Sequence, residues 1–91
     1  MAERRRVCYS GHVQGVGFRA RVQRIASGHG VAGEVANMVD GSVELTVEGE
    51  PGEISRFLDA VGLELDRHIR EMTIQREPVG DPPLAGFVIR Y

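Results

Sequence analysis

The chain has a single cysteine, Cys8, and this scarcity restricts both its cross-linking and its chemistry. One thiol cannot form an internal disulfide, and the sequence has neither a Cys-x-x-Cys pair nor a Cys/His cluster with zinc-site spacing. The three histidines, His12, His29 and His68, are scattered, so we expect no metal site and no cofactor. A fold without disulfides or metals suits a reducing compartment, and we expect the protein to be cytoplasmic.

Lysine and long apolar runs are also missing. No apolar run is long enough for a transmembrane helix, and residues 1–6 are not followed by the apolar segment of a signal peptide. We therefore expect a protein that is not exported and does not bind membranes. Without lysine, no glycine-rich loop of the chain can end in the Lys-Ser/Thr pair of a nucleotide-binding P-loop.

Size and charge indicate one small domain with a basic N-terminal third. The 91 residues, with 42% apolar content, are enough for a single core, and we expect residues 1–91 to form one monomeric domain. The formal net charge is −2, but the first 30 residues contain only one carboxylate, Glu3. Their arginines are Arg4, Arg5, Arg6, Arg19, Arg21 and Arg24. Such asymmetry suits either nucleic acid or a small anionic substrate.

Three glycines, Gly11, Gly15 and Gly17, stand where a strand pattern gives way to a helix pattern, and we call residues 11–17 the glycine loop. Glycines let consecutive backbone N–H groups turn toward one point, and a helix N-terminus adds its partial positive charge there. Arg19 follows in the first helical turn and offers a forked cation suited to two phosphate oxygens. Physical reasoning alone leaves two interpretations of the glycine loop open: a phosphate-binding site, or a tight strand-to-helix turn with no ligand.

Hydrophobic periodicity predicts the element order β-α-β-β-α-β followed by a terminal strand. A first strand around Val7 and Tyr9 ends at Gly11. A helix follows, which Gly28 and Gly30 end, and the residues that recur in it at helical spacing are Phe18, Val22, Ile25, Ala26 and His29. Residues 31–39 read as a second strand. Asp40-Gly41 is typical of a two-residue hairpin turn, and Val43, Leu45 and Val47 alternate with polar residues in a third strand.

The second half repeats this alternation of helix and strand. Pro51 suits the first turn of a helix, which Gly62 could end early. The apolar stripe of that helix is Ile54, Phe57, Leu58, Val61 and Leu65. Strands then follow around Met72 and Ile74 and over Phe87, Ile89 and Tyr91. We expect an α+β fold with a mainly antiparallel sheet of four to five strands and two helices on one face.

Two segments of the chain resemble the signatures of the acylphosphatase family. The first signature is an aliphatic residue, then x-Gly-x-Val-Gln-Gly-Val-x-Phe-Arg, and it resembles Tyr9-Ser10-Gly11-His12-Val13-Gln14-Gly15-Val16-Gly17-Phe18-Arg19, with Tyr9 in the aliphatic position. The second resembles Gly33-Glu34-Val35-Ala36-Asn37, then Gly41-Ser42-Val43 and Gly49, with Glu34 in place of an aromatic. Residues 86–91 also resemble the C-terminal strand of the family, so the resemblance covers nearly the whole chain.

The resemblance implies a ferredoxin-like βαββαβ fold and the metal-independent hydrolysis of acyl phosphates to a carboxylate and inorganic phosphate. It implies that Arg19 binds the phosphate and that Asn37 orients the attacking water. The phosphoryl oxygens, or a free phosphate or sulfate ion, would be held by the backbone amides of Val13, Gln14, Gly15 and Val16. The carboxylate of an acyl phosphate leaves readily, so positioning and charge stabilisation can supply most of the catalysis.

Two groups outside these signatures carry weaker expectations. In a regular strand Glu34 points away from Asn37, so we expect Glu34 to affect stability or partner contacts more than chemistry. We expect residues 4–6 to be solvated arginines at the entrance of the first strand.

Two other functions remain open on sequence grounds. One is a catalytically weak anion-binding module that keeps the glycine loop. The other is an RNA-binding ferredoxin-like domain, but such sheets present stacking aromatics and the central strands here offer little beyond Tyr9. We therefore expect no nucleic-acid partner. A dinucleotide site at residues 15–20 is rejected, because the chain is too short for that fold and continues into an antiparallel hairpin.

Overall fold

The computed structural model describes residues 2–91, which form five strands and two α-helices. The elements are β1 (Glu3–Gly11), α1 (Phe18–Ala26), β2 (Val31–Asn37), β3 (Val43–Gly49), α2 (Pro51–Leu65), β4 (Ile69–Glu77) and β5 (Phe87–Arg90). A short 3-10 turn, Asp66–His68, joins α2 to β4. None of the helices in this part of the chain is long and apolar enough to cross a membrane.

The strands make one mixed sheet in the order β4-β1-β3-β2-β5. Every neighbouring pair is antiparallel except β2 and β5, which run parallel with Gly33 opposite Phe87. The predicted α+β fold, its element order and its mainly antiparallel sheet are therefore confirmed, with five strands. α2 continues through Gly62 to Leu65 instead of ending early.

Alternation along the strands separates a helix-covered face from an open face. Val7 and Tyr9 of β1 are fully buried on the covered face, and Tyr9 packs against Phe18 of α1 with ring centroids 5.2 Å apart. The predicted apolar stripe of α2 is buried in the same core. Both helices therefore lie on one face. β1 and β2 both run antiparallel to β3, so they end at the same edge of the sheet, and α1 begins near that edge.

The predicted two-residue hairpin at Asp40-Gly41 is wrong, and the predicted second strand is two residues too long. β2 ends at Asn37, which pairs with Val43, so five residues connect the strands. The carboxylate of Asp40 accepts hydrogen bonds from the backbone N–H and the hydroxyl of Ser42, at 3.0 and 2.6 Å. This local Asx-type turn competes with the tighter hairpin.

The expectation of solvated arginines at the start of β1 is also wrong. Arg5 is only 5% exposed, because it shares the covered face with Val7, and it forms an ion pair with Glu3. Its guanidinium also donates to the Ser55 hydroxyl of α2 at 3.1 Å. On the open face Arg4 pairs with Glu48, and Arg6 pairs with carboxylates of β3 and β4.

The connection between β4 and β5 covers part of the open face around one buried carboxylate. Glu48 accepts hydrogen bonds from the backbone N–H groups of Gly80 at 2.9 Å and Leu84 at 2.6 Å, and from Arg4 at 2.7 Å. Burial raises the pKa of Glu48, but these donors outweigh it and hold the pKa below its usual value of 4.5. Glu48 thus anchors residues 80–84 to the sheet.

Candidate active site

The glycine loop is hydrogen-bonded at its start, where it leaves β1, and it enters α1 through two glycines in the left-handed backbone conformation. His12 N–H donates to the carbonyl of His68 at 2.9 Å, which ties the start of the loop to the 3-10 turn. Gly15 and Gly17 have φ angles of 80° and 75°, a region that residues with a Cβ adopt only with strain. These two residues turn the chain sharply before the first helical residue, Phe18.

The same turn leaves a run of backbone donors without internal partners. Arg21 is the first residue of α1 whose N–H bonds back within the helix, to the carbonyl of Gly17 at 3.1 Å. Between His12 and Arg21, the N–H groups of residues 13–20 donate no hydrogen bond to any part of the described chain. Unpaired backbone donors at a helix N-terminus form a ready site for an anion.

Most residues of this run, all except Gln14 and Val16, border a recess of about 160 Å³ that also contains the two side chains singled out by the sequence. We call it the loop recess. Its lining includes Val13, Gly15, Gly17, Arg19, Asn37 and Tyr91. Gln14 and Val16, the other two residues predicted to offer backbone amides, do not line it. The side chain of Val16 packs against the core, and that of Gln14 points toward the connection between β2 and β3.

Arg19 is held at the recess by contacts with Arg90, the last residue of β5, and with Tyr91, which follows it. One terminal nitrogen donates to the carbonyl of Arg90 at 3.0 Å, and the guanidinium carbon lies 4.8 Å from the centroid of the Tyr91 ring. A cation over an aromatic face is attracted by the ring quadrupole. No carboxylate in residues 2–91 lies within ion-pair distance of Arg19, so its charge is available to an incoming anion.

Asn37 reaches the recess because it is the last residue of β2. It shares the covered face with Gly33 and Val35, and it stands where β2 stops and the helix layer no longer covers the sheet. Within residues 2–91 the side-chain amide of Asn37 takes part in no hydrogen bond, so both its donor and its acceptor are free. Glu34 points to the open face and pairs with Arg90 at 2.7 Å.

Three contacts at the site were not anticipated from the sequence: the Tyr91 ring, the Arg90 carbonyl and the side chain of Gln14. Tyr91 continues the alternation of Phe87 and Ile89, and that pattern could have placed its ring on the helix side of β5. The partners of the Arg90 carbonyl and of Gln14 depend on contacts between distant segments, for which the sequence carries no local signal.

Charge is distributed unevenly around the recess. Arginines with a carboxylate partner are Arg4, Arg5, Arg6, Arg24, Arg56, Arg76 and Arg90. Among the described residues, those without one are Arg19, Arg21, Arg67 and Arg70. Arg67 and Arg70 line a second hollow with His12, on the β4 side of the glycine loop. Residues 2–91 contain no group of three or more His, Cys, Asp or Glu arranged to hold a metal ion.

The fold and the recess together define a ferredoxin-like α+β domain with unpaired donors and an unpaired arginine at one end of the sheet. Comparisons with known proteins agree with this class. The family model described as Acylphosphatase matches residues 5–89. An acylphosphatase of Yersinia pseudotuberculosis serotype O:1b is 40% identical over 81 residues, covering 89% of this chain and 88% of that protein.

Solved structures give the same result. The crystal structure of acylphosphatase from Bacillus subtilis is 30% identical, with a TM-score of 0.85 and complete coverage of both chains. Full-length HypF in a phosphate- and nucleotide-bound form matches with 28% identity and a TM-score of 0.84, over the whole of this chain and 12% of that one. The chain therefore belongs to the acylphosphatase family and is an acylphosphatase enzyme.

Proposed function

We propose that the loop recess hydrolyses acyl phosphates to a carboxylate and inorganic phosphate, with no metal ion taking part. The observation that carries this proposal is the convergence of three features in one recess. Unpaired N–H groups of the glycine loop, the uncompensated guanidinium of Arg19 and the free amide of Asn37 all border it. The first two suit a phosphoryl group, and the third suits a water molecule.

In the proposed reaction, loop amides from residues 13–16 and the guanidinium of Arg19 hold the phosphoryl oxygens. Asn37 orients a water for attack on phosphorus, opposite the bond to the acyl oxygen. That P–O bond breaks, its electron pair leaves with the carboxylate, and the proton of the water passes to a phosphoryl oxygen. Asn37 cannot accept the proton, so the phosphoryl group itself is its destination.

In this scheme, hydrolysis is accelerated by stabilisation of the negative charge on the phosphoryl group. Negative charge on the phosphoryl oxygens stays beside fixed N–H donors and Arg19, which need little reorganisation as the bond breaks. The carboxylate is a stable leaving group, so no general acid is required on that side. The absence of lysine from the sequence and the unclustered histidines are compatible with such a mechanism.

Benzoyl phosphate hydrolysis by the purified protein in excess chelator tests the proposal, together with a phosphate titration followed by NMR. We expect turnover that the chelator does not change, and phosphate-induced shifts centred on residues 13–20. Phosphate binding without turnover would leave an anion-binding module in place of the enzyme reaction. Activity that disappears with chelator would overturn the metal-free scheme.

We further propose that the enzyme acts in the cytoplasm as a monomer. The lone Cys8 is compatible with a reducing compartment. Light scattering of the purified protein tests the monomer, and fractionation of the source cells tests the location. A stable dimer at micromolar concentration, or recovery from a membrane or exported fraction, would contradict these two assignments.

A further inference from the structure

The side chain of Gln14 connects the glycine loop to the segment that carries Asn37. Its Nε2 donates to the backbone carbonyl of Met38 at 2.8 Å and to that of Ser42 at 2.9 Å. A primary amide has two N–H donors, and here each has its own acceptor. We call these two hydrogen bonds the clamp. Met38 directly follows Asn37, so the clamp binds the residue next to the one whose free amide lines the recess.

The two carbonyls that Gln14 binds belong to a closed piece of backbone. The N–H of Met38 donates to the carbonyl of Ser42 at 2.8 Å, which extends the β2–β3 pairing one step past Asn37 and Val43. Asp40 closes the turn through its two hydrogen bonds with Ser42. Gln14 therefore binds a turn that is itself hydrogen-bonded to the end of β2.

No other hydrogen bond in the described chain joins residues 12–17 to residues 37–42. Gln14 lies between Val13 and Gly15, and both of these line the recess. The two bonds of Gln14 therefore join the loop that offers the amides directly to the segment that carries Asn37.

We infer that Gln14 is a positioning residue that fixes the distance between the loop amides and the amide of Asn37. This inference rests on the proposed function, because it assigns Gln14 a task in orienting the water relative to the bound phosphoryl group. The task belongs to the side chain and is separate from the backbone N–H of Gln14. It acts on catalysis through Asn37 and leaves phosphate binding to the loop and Arg19.

Loss of the clamp should lower kcat more than it weakens phosphate binding. A misplacement of about 1 Å between reacting groups can cost on the order of 10²-fold in rate, so we expect Gln14→Ala to lower kcat roughly 10- to 100-fold. The inhibition constant for inorganic phosphate should change by less than about threefold, because the loop donors and Arg19 remain. Gln14→Glu should also lower kcat, since a carboxylate cannot donate to the two carbonyls, and its added negative charge should in addition weaken phosphate binding.

A double-mutant cycle tests the inference with wild type, Gln14→Ala, Asn37→Ala and the double variant, assayed for benzoyl phosphate hydrolysis. We expect Gln14→Ala to lower kcat in the wild-type background and to cost little more once Asn37 is absent. Gln23→Ala is the matched control, because Gln23 also donates a side-chain hydrogen bond to a backbone carbonyl, that of Phe87 at 3.0 Å. That control should keep its kcat.

The outcomes separate this inference from the proposed function. An unchanged kcat in Gln14→Ala, or an equal loss with and without Asn37, would overturn the positioning role while leaving the function intact. An unchanged kcat in Asn37→Ala would remove Asn37 from the proposed mechanism and overturn the positioning role with it, whereas a wild-type protein that does not hydrolyse benzoyl phosphate would overturn the function itself. Urea unfolding establishes that each variant is folded under assay conditions, and the Gln14→Glu cycle replaces the alanine cycle if Gln14→Ala does not fold.

Discussion

The guanidinium carbon of Arg19 lies 4.8 Å from the centroid of the Tyr91 ring, while one of its nitrogens donates to the carbonyl of Arg90 at 3.0 Å. These two contacts hold the side chain at the recess, which it lines together with residues of the glycine loop. Its remaining N–H groups are available to a phosphoryl group. An arginine already held in place loses less side-chain entropy on binding than a free one.

Tyr91→Leu should weaken phosphate binding by removing the ring beneath Arg19. Tyr91 is exposed, and a cation–π contact of about 0.5–1 kcal/mol at an exposed site corresponds to a roughly 2- to 5-fold rise in the phosphate inhibition constant and in KM. Tyr91→Phe keeps the aromatic face and should behave like wild type. Steady-state kinetics with benzoyl phosphate measure both variants, and equal constants for the leucine and phenylalanine variants would rule out the ring contact.

Tyr9→Phe should stabilise the fold. The Tyr9 side chain is fully buried, and its hydroxyl has no hydrogen-bond partner within residues 2–91. Removing an unsatisfied buried hydroxyl, while keeping the packing on Phe18, should raise the free energy of unfolding by about 1 kcal/mol. Urea unfolding near neutral pH measures this, and Tyr91→Phe, at an exposed tyrosine, provides a control that should change little.

Alkaline pH should widen the difference between wild type and Tyr9→Phe. Burial raises the pKa of Tyr9 above its ordinary value of 10. The folded state therefore holds this proton more tightly than the unfolded state, so the stability linked to Tyr9 is complete below that value and falls as the pH rises above it. Unfolding at about pH 11 should show a larger loss for wild type than for Tyr9→Phe. Equal losses of unfolding free energy in wild type and Tyr9→Phe would contradict the raised pKa of Tyr9.

Glu48→Gln should destabilise the protein and leave the chemistry intact. The buried carboxylate anchors Gly80 and Leu84, and its loss should lower the free energy of unfolding by roughly 1–3 kcal/mol near neutral pH. Because the pKa of Glu48 is lowered in the fold, its stabilisation is present above 4.5 and is lost as the pH falls through the folded value. The difference in stability from wild type should therefore shrink in acid.

Urea unfolding across the acidic range measures this loss, and Glu44→Gln is the matched control. Glu44 is another carboxylate on the open face, but it is half-exposed in a pair with Arg6, and such pairs contribute little. Glu48 lies on the opposite face of the sheet from the loop recess, so kcat should stay at the wild-type value. A large drop in kcat for a folded Glu48→Gln protein would contradict the separation of these two sites.

The double variant Arg67→Gln/Arg70→Gln should lower kcat/KM at low ionic strength. These arginines have no carboxylate partner in the described chain and lie beside the glycine loop, where they raise the local concentration of an anionic substrate. We expect a loss of about two- to tenfold, mostly in KM, that disappears at about 0.5 M salt. Arg24→Gln/Arg56→Gln changes the net charge equally at paired positions. An equal loss there would make net charge, rather than position, the cause.

The order of helices and strands could be predicted because the apolar residues that alternate along the strands, or recur at helical spacing, are the residues that form the buried core. Arg5 shows where the local pattern was insufficient: alternation with Val7 and Tyr9 puts it on the covered face, but the Ser55 hydroxyl that accepts its hydrogen bond belongs to a helix distant in sequence. The hairpin prediction at Asp40-Gly41 was wrong because the carboxylate of Asp40 bonds to Ser42 and favours a wider turn.

The candidate site also has a part that the sequence predicts and a part that it does not. Arg19 and Asn37 came from motifs, and the structure brings both to one recess. The support for Arg19 from Tyr91 and the clamp formed by Gln14 depend on pairings between segments far apart in the chain. Alternation along β5 could place the Tyr91 ring on the helix side, but no spacing rule in the sequence identifies Arg19 as its partner or the Met38 and Ser42 carbonyls as the partners of Gln14.

The catalytic constant of Asn37→Ala in benzoyl phosphate hydrolysis tests the central claim most directly. If the amide orients the attacking water, kcat should fall on the order of 10²- to 10³-fold in a folded protein, while the phosphate inhibition constant stays near the wild-type value. Arg19→Ala should lose still more activity, and it should lose phosphate binding as well. A folded Asn37→Ala protein with near-normal kcat would remove Asn37 from the mechanism and contradict the account.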